Sequence, residues 1–171
     1  MPTPCCPPRR LITAFVAALL VAVMGLPDSA IAPSTMAVWG WPVSAPHTIV
    51  ATYQAPATRY AAGHRGIDLR ATTDGPVLAP GDGVVTFVGV VVDRPVVAVA
   101  HSGDLLSSFE PVIATVSVGD RVVAGEQIGT VAIGGHCLGC VHFGVRLHGE
   151  YVSPLLLLGK LPRAVLLPLG P

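Results

Sequence analysis

The chain has 171 residues, with 10 basic and 10 acidic side chains, 51% hydrophobic residues and only 12% charged ones. The length suits one domain, the even charge leaves no basic excess for nucleic acid, and the apolar bias excludes an intrinsically disordered chain. The 19 Gly and 17 Pro interrupt the sequence too often for a long helical bundle, and 5% aromatics leave a core built mainly from Val, Leu, Ile and Ala.

The first element is not part of a folded domain. Arg9 and Arg10 precede an uncharged apolar run from Leu11 to Leu26, followed by Pro27 and Ala30-Ile31-Ala32. A basic start, an apolar stretch and an A-x-A site make a signal peptide over residues 1–32. The run of 16 residues is shorter than the ~20 of a spanning helix. The expectation is a secreted, extracytoplasmic product of the cell wall with no stable membrane span after cleavage; an uncleaved anchor is the alternative. Cys5 and Cys6 leave with the signal. Cys137 and Cys140 remain as C-x-x-C, which an oxidising compartment turns into a disulfide.

Residues 33–47 read as an extended lead-in whose indoles, Trp39 and Trp41, cover the edge of the domain. Strand-like runs follow at Thr48–Tyr53, Gly66–Ala71, Gly83–Val92, Pro95–Ala100, Leu105–Phe109, Gln127–Ile133 and Val141–Leu147. Each is short, mostly Val-rich, and bounded by turn pairs such as Asp74-Gly75, Ser102-Gly103, Gly134-Gly135 and His148-Gly149. No segment after residue 32 keeps an apolar period of 3.6 residues. The pattern predicts an all-β fold, a single compact antiparallel sheet or sandwich over 48–158, with 159–171 as a tail. Gly81-Asp82-Gly83-Val84-Val85 and Gly119-Asp120-Arg121-Val122-Val123 echo each other, and read as two similar turns in one sheet.

Two segments carry candidate chemistry. In Gly63-His64-Arg65-Gly66-Ile67-Asp68-Leu69, an even spacing sets His64 and Asp68 on one face of an extended chain. In Cys140-Val141-His142-Phe143-Gly144-Val145-Arg146, alternation sends Val141, Phe143 and Val145 to the core and His142 to the other face, beside a small Gly144. A catalytic zinc needs three protein ligands of this kind, and His64, Asp68 and His142 would supply them. Of the other histidines, His101 at a turn reads as structural, His148 as a solvated hairpin residue, and His47 has no partner in sequence. Arg146, on the His142 face, suits either a substrate carboxylate or a plain salt bridge.

The order G-H-R-G-I-D-L, G-P-V-L-A-P-G-D-G-V-V, V-S-V-G-D-R-V-V-A-G-E-Q-I-G and C-V-H-F-G-V-R resembles the lysostaphin/LytM-type zinc metallopeptidases, from about Trp41 to Leu158. The resemblance implies a duplicated-hybrid-motif-like β domain with a groove over one sheet. It also implies zinc (Zn²⁺) on His64, Asp68 and His142, and the peptides of peptidoglycan as substrate. Two helper histidines of that family are missing. The first His of its H-x-H is Cys140 here, and the last position of its T-x-Y-x-H is Pro111, which has no side-chain donor or acceptor. His136 and Glu110 are the available substitutes. His136 lies on the 134–140 loop, which a Cys137–Cys140 bridge would pin beside the site. The expected function is a weakly active zinc endopeptidase acting on peptidoglycan cross-links. The alternative is a degenerate module that binds peptidoglycan or regulates a partner cell-wall hydrolase. A third arrangement makes a reduced Cys140 a fourth zinc ligand in a closed structural site.

Overall fold

The computed structural model describes residues 38–58 and 60–159. The expected signal peptide, the start of the expected lead-in and the expected tail from Lys160 lie outside them. Eleven strands follow in order: β1 (Ile49–Ala51), β2 (Gly66–Arg70), β3 (Pro76–Leu78), β4 (Gly83–Val91), β5 (Arg94–His101), β6 (Leu105–Glu110), β7 (Val112–Ala114), β8 (Arg121–Val122), β9 (Gln127–Val131), β10 (Cys140–Leu147) and β11 (Glu150–Val152). A short 3-10 turn at Pro154–Leu156 closes the described chain. No helix among the described residues is long and apolar enough to cross a membrane.

All pairings are antiparallel. The larger sheet has eight strands in the order β1-β2-β10-β6-β5-β4-β8, with β11 also paired to β10; a second sheet has the order β3-β9-β7. Period-two alternation gives the larger sheet two unlike faces. Ile67, Leu69, Val97, Val99, Phe109, Val141, Phe143 and Val145 are buried in a core that also takes Val77, Val112, Ile128 and Val131 from the smaller sheet. The Phe109 and Phe143 rings stack with centroids 5.2 Å apart. His142, Gly144, Ser108 and Glu110 occupy the alternate positions and so share the opposite face.

Seven of the strands match the predicted runs to within a residue or two. The other four, β3, β7, β8 and β11, have only two or three residues each, too few for alternation to register. β4 ends at Val91, and Val92 adopts a left-handed φ of 61° in the turn to β5. A β-branched residue is a poor signal for such a turn. The lead-in differs from the expectation of a segment merely covering an edge. Trp39 and Val43 are themselves buried in the core, and the Trp39 backbone N–H donates to the Leu157 carbonyl at 2.9 Å. The two echoed segments pair with each other, Gly83 opposite Val122 and Val84 opposite Arg121.

Candidate metal centre

Register brings the candidate ligands together. β2 and β10 are neighbours, and His142 stands directly opposite Asp68, so both side chains leave the same face of the sheet. His64 lies just before β2 in an isolated bridge with Gln54. Its Nε2 is 3.0 Å from Asp68 Oδ1 and 3.1 Å from His142 Nδ1, and His142 Nδ1 is 2.8 Å from Asp68 Oδ1. The three predicted ligands therefore converge on one point. Gly66 makes room for this: a Cβ there would lie 2.3 Å from the Phe143 carbonyl oxygen and 2.7 Å from two atoms of the His142 ring.

The polarity of the cluster suits a cation. His64 Nδ1 lies 2.8 Å from the Thr52 carbonyl oxygen. A carbonyl can only accept, so Nδ1 carries the hydrogen, and in the neutral ring Nε2 presents a lone pair to Asp68 and His142. A ring oriented through its far nitrogen is the usual support of a metal-binding imidazole. The Asp68 side chain is only 4% exposed. Burial by itself raises its pKa. The His142 contact, then the charges of His136 and His64, outweigh that and hold the carboxyl below its ordinary 3.8. A buried carboxylate ringed by imidazole nitrogens is a donor set that zinc accepts.

His136 joins this cluster. Its Nε2 is 3.0 Å from both oxygens of Asp68, and His64, Asp68, His136 and His142 each offer a ligand atom within 4.8 Å of the others. The loop that carries it is fixed at several points. Cys137 and Cys140 form a disulfide with Cα atoms 5.8 Å apart, and the Ala71 N–H donates to the Gly139 carbonyl at 3.1 Å. Gly135, at φ 75°, passes so close to Pro111 that a Cβ would lie 3.2 Å from its Cδ. Glu110 is placed differently. It stands opposite His142 on β6, but its Oε1 is 3.0 Å from Arg94 Nε in an ion pair.

The remaining histidines have other partners. His101 lies between the Asp82 carbonyl oxygen at 2.8 Å and Ser107 Oγ at 2.7 Å, against the Trp39 ring. His148 faces Asp104 at 2.9 Å in an exposed turn. His47 stacks on Trp41 with centroids 4.6 Å apart, a partner that the sequence did not signal. The Arg146 guanidinium donates to the Tyr151 hydroxyl and lies over that ring. Together, His64, His136, His142, Glu110, Arg146 and Tyr151 help to line an open groove of about 620 Å³.

An antiparallel β domain with a His/Asp cluster at the floor of a groove is the architecture of a metallopeptidase. The chain belongs to Peptidase family M23, whose profile matches residues 62–154. It is 35% identical over 161 residues to the uncharacterized protein Rv2891 of Mycobacterium tuberculosis, covering 90% of this chain. It spans 64% of the length of that relative. Among solved structures, a point mutant of the catalytic domain of the prophage-encoded M23 protein EnpA from Enterococcus faecalis superposes with a TM-score of 0.55 at 26% identity, covering 65% of this chain and 91% of that one. A chain of the SpoIIIAH and SpoIIQ complex gives a TM-score of 0.61 at 22% identity, with 69% and 98% covered, a likeness of fold.

Proposed function

We propose that the chain is an extracytoplasmic zinc metallopeptidase-like domain that acts weakly on the peptide cross-links of peptidoglycan. The observation that carries this reading is the convergence of His64 Nε2, Asp68 Oδ1 and His142 Nδ1 within 3.1 Å of one another, in an M23 chain. These three residues would hold the ion. When bound, zinc supplies Lewis acidity toward a carbonyl and brings the pKa of water toward ~7. The protein's own residues do the rest. The Thr52 carbonyl fixes the His64 ring, Asp68 supplies the negative charge that favours a cation, and the groove over the outer face receives an extended peptide. Arg146, at the groove wall beside Tyr151, can meet a peptide carboxylate. His136 is the imidazole within reach of the centre for proton transfer. Glu110, bound to Arg94, is the weaker candidate.

Pro111 and Cys140 stand where helper imidazoles are expected, and each such loss costs roughly 10²–10⁴ in rate. That same absence favours a second reading, a module that binds peptidoglycan or a partner hydrolase without cleaving it. The test is metal analysis together with digestion of purified peptidoglycan. The expected outcome is one zinc per chain, slow release of new amino groups, and loss of both in Asp68→Ala. A wild-type chain that holds no zinc, or an Asp68→Ala chain that holds as much, would overturn the reading. Retention on peptidoglycan with no amino groups released would select the binding module.

A further inference from the structure

We infer that His136 is a fourth metal ligand, borne on a disulfide-strapped loop, so that the resting centre is a closed set of three imidazoles and one carboxylate. The inference rests on the zinc site proposed above and extends its donor set beyond the triad. His136 Nε2 meets both oxygens of a buried carboxylate at 3.0 Å. Its ring is edge-on to both other rings, with centroids 5.6 Å from His64 and 5.0 Å from His142. All four candidate donors fall within one 4.8 Å cluster. Four nitrogen and oxygen donors complete the tetrahedral set that zinc adopts in closed sites, whereas three leave a position open.

The loop explains why the imidazole is there. Pro111 takes away a side-chain donor beside the centre and gives the loop a surface to lie on. Its carbonyl accepts from the Ala132 N–H at 3.0 Å, and the Gly135 backbone passes against its ring. At the other end, Cys140 begins the strand that carries His142, and its bond to Cys137 ties His136's neighbour to that strand. The two positions that lack an imidazole thus both anchor the loop that supplies one. The closed-site arrangement expected from a reduced Cys140 is replaced by one whose fourth donor is His136, because the Cys140 sulfur is engaged with Cys137. The His136 side chain is 45% exposed, so one side of its ring meets solvent. Once off the ion, the same imidazole is free to take a proton.

The test uses cobalt as a spectroscopic substitute for zinc in the purified wild-type protein and in His136→Ala. Four-coordinate Co²⁺ absorbs strongly in the visible, and higher coordination absorbs weakly. The expected result is an intense wild-type band that shifts and changes shape in His136→Ala, where water takes the vacated position, with affinity weaker by more than the ~10–100-fold lost when an outer support of a metal site is removed. The Cys137→Ser/Cys140→Ser double variant should fall between them. A measurement on the unaltered chain guards against misfolding of the variants: ¹¹³Cd-loaded, ¹⁵N-histidine protein should show metal coupling to three imidazoles. Coupling to two imidazoles, or equal affinity and spectrum in wild type and His136→Ala, would overturn the inference and leave the three-ligand site standing. No metal bound by the wild type would remove both.

Discussion

Histidine is used in this molecule for two different purposes, and the partner of each ring nitrogen separates them. At the centre, ring nitrogens of three histidines converge on one carboxylate. His101 instead has both nitrogens engaged by neutral groups, the Asp82 carbonyl and the Ser107 hydroxyl. Its Nδ1–H donates to the carbonyl, and in the neutral ring its Nε2 accepts from Ser107, whose hydroxyl also lies 3.4 Å from the Val99 carbonyl oxygen. Burial pushes its pKa below the ordinary 6.5, only partly offset by Asp82. The unfolded chain therefore binds the proton more readily than the folded one. His101 contributes stability that is present above about pH 6.5 and is lost as pH falls through its lower folded value. Thermal melts of the metal-free protein from about pH 7 down to about pH 5, the range in which histidine titrates, should show a steeper loss of Tm in wild type than in His101→Gln. Parallel slopes would mean that His101 does not titrate across unfolding.

Strand packing sets the next constraint. Gly66 and Gly129 are the tightest of several glycines where backbone lies against backbone, and of the two only Gly66 is at the site. A Cβ on Gly66 would strike the Phe143 carbonyl oxygen at 2.3 Å and the His142 ring at 2.7 Å, while one on Gly129 would strike the Ile113 carbonyl oxygen at 2.4 Å, in the smaller sheet. Gly66→Ala and Gly129→Ala should each cost roughly 1–3 kcal/mol in denaturant unfolding, the usual penalty of overpacking. Only Gly66→Ala should also lose zinc, because His142 must turn aside. Full zinc occupancy in Gly66→Ala would show that the ring has another position from which to bind. The short strands teach a related lesson. β8 has two residues and exists because the Asp82 and Asp120 turns align Gly83 with Val122, not because Arg121-Val122 has a strand pattern of its own.

At the scale of the whole molecule, the described body begins no later than Val38, and Trp39 is sealed into its core against His101 and Phe143. The segment between the A-x-A site and Trp39 is thus short. If export proceeds by cleavage after Ala32, the secreted protein should begin near Pro33, and N-terminal sequencing checks this directly. A product that starts at Met1 would instead mark a retained anchor. Either start leaves Trp39 in the chain.

Much of this arrangement was legible in the linear sequence. The even spacing of His64 and Asp68 and the alternation around His142 hold wherever a chain is extended, because successive side chains of a strand point to opposite faces. Turn pairs with Gly or Asp mark strand ends for local steric reasons, so seven strands, the all-β class and three members of the His/Asp cluster that could hold a metal follow from short-range rules. Register and loop path do not. That Asp68 faces His142 is a pairing across 74 residues, and no local preference specifies it. The reach of His136 to Asp68, the capture of Glu110 by Arg94, the stacking of His47 on Trp41 and the burial of Trp39 all depend on which strands are neighbours. The sequence by itself determined which side chains share a face; the tertiary structure alone decided which faces meet, because long-range pairing is set by the summed packing of one core and not by any segment alone.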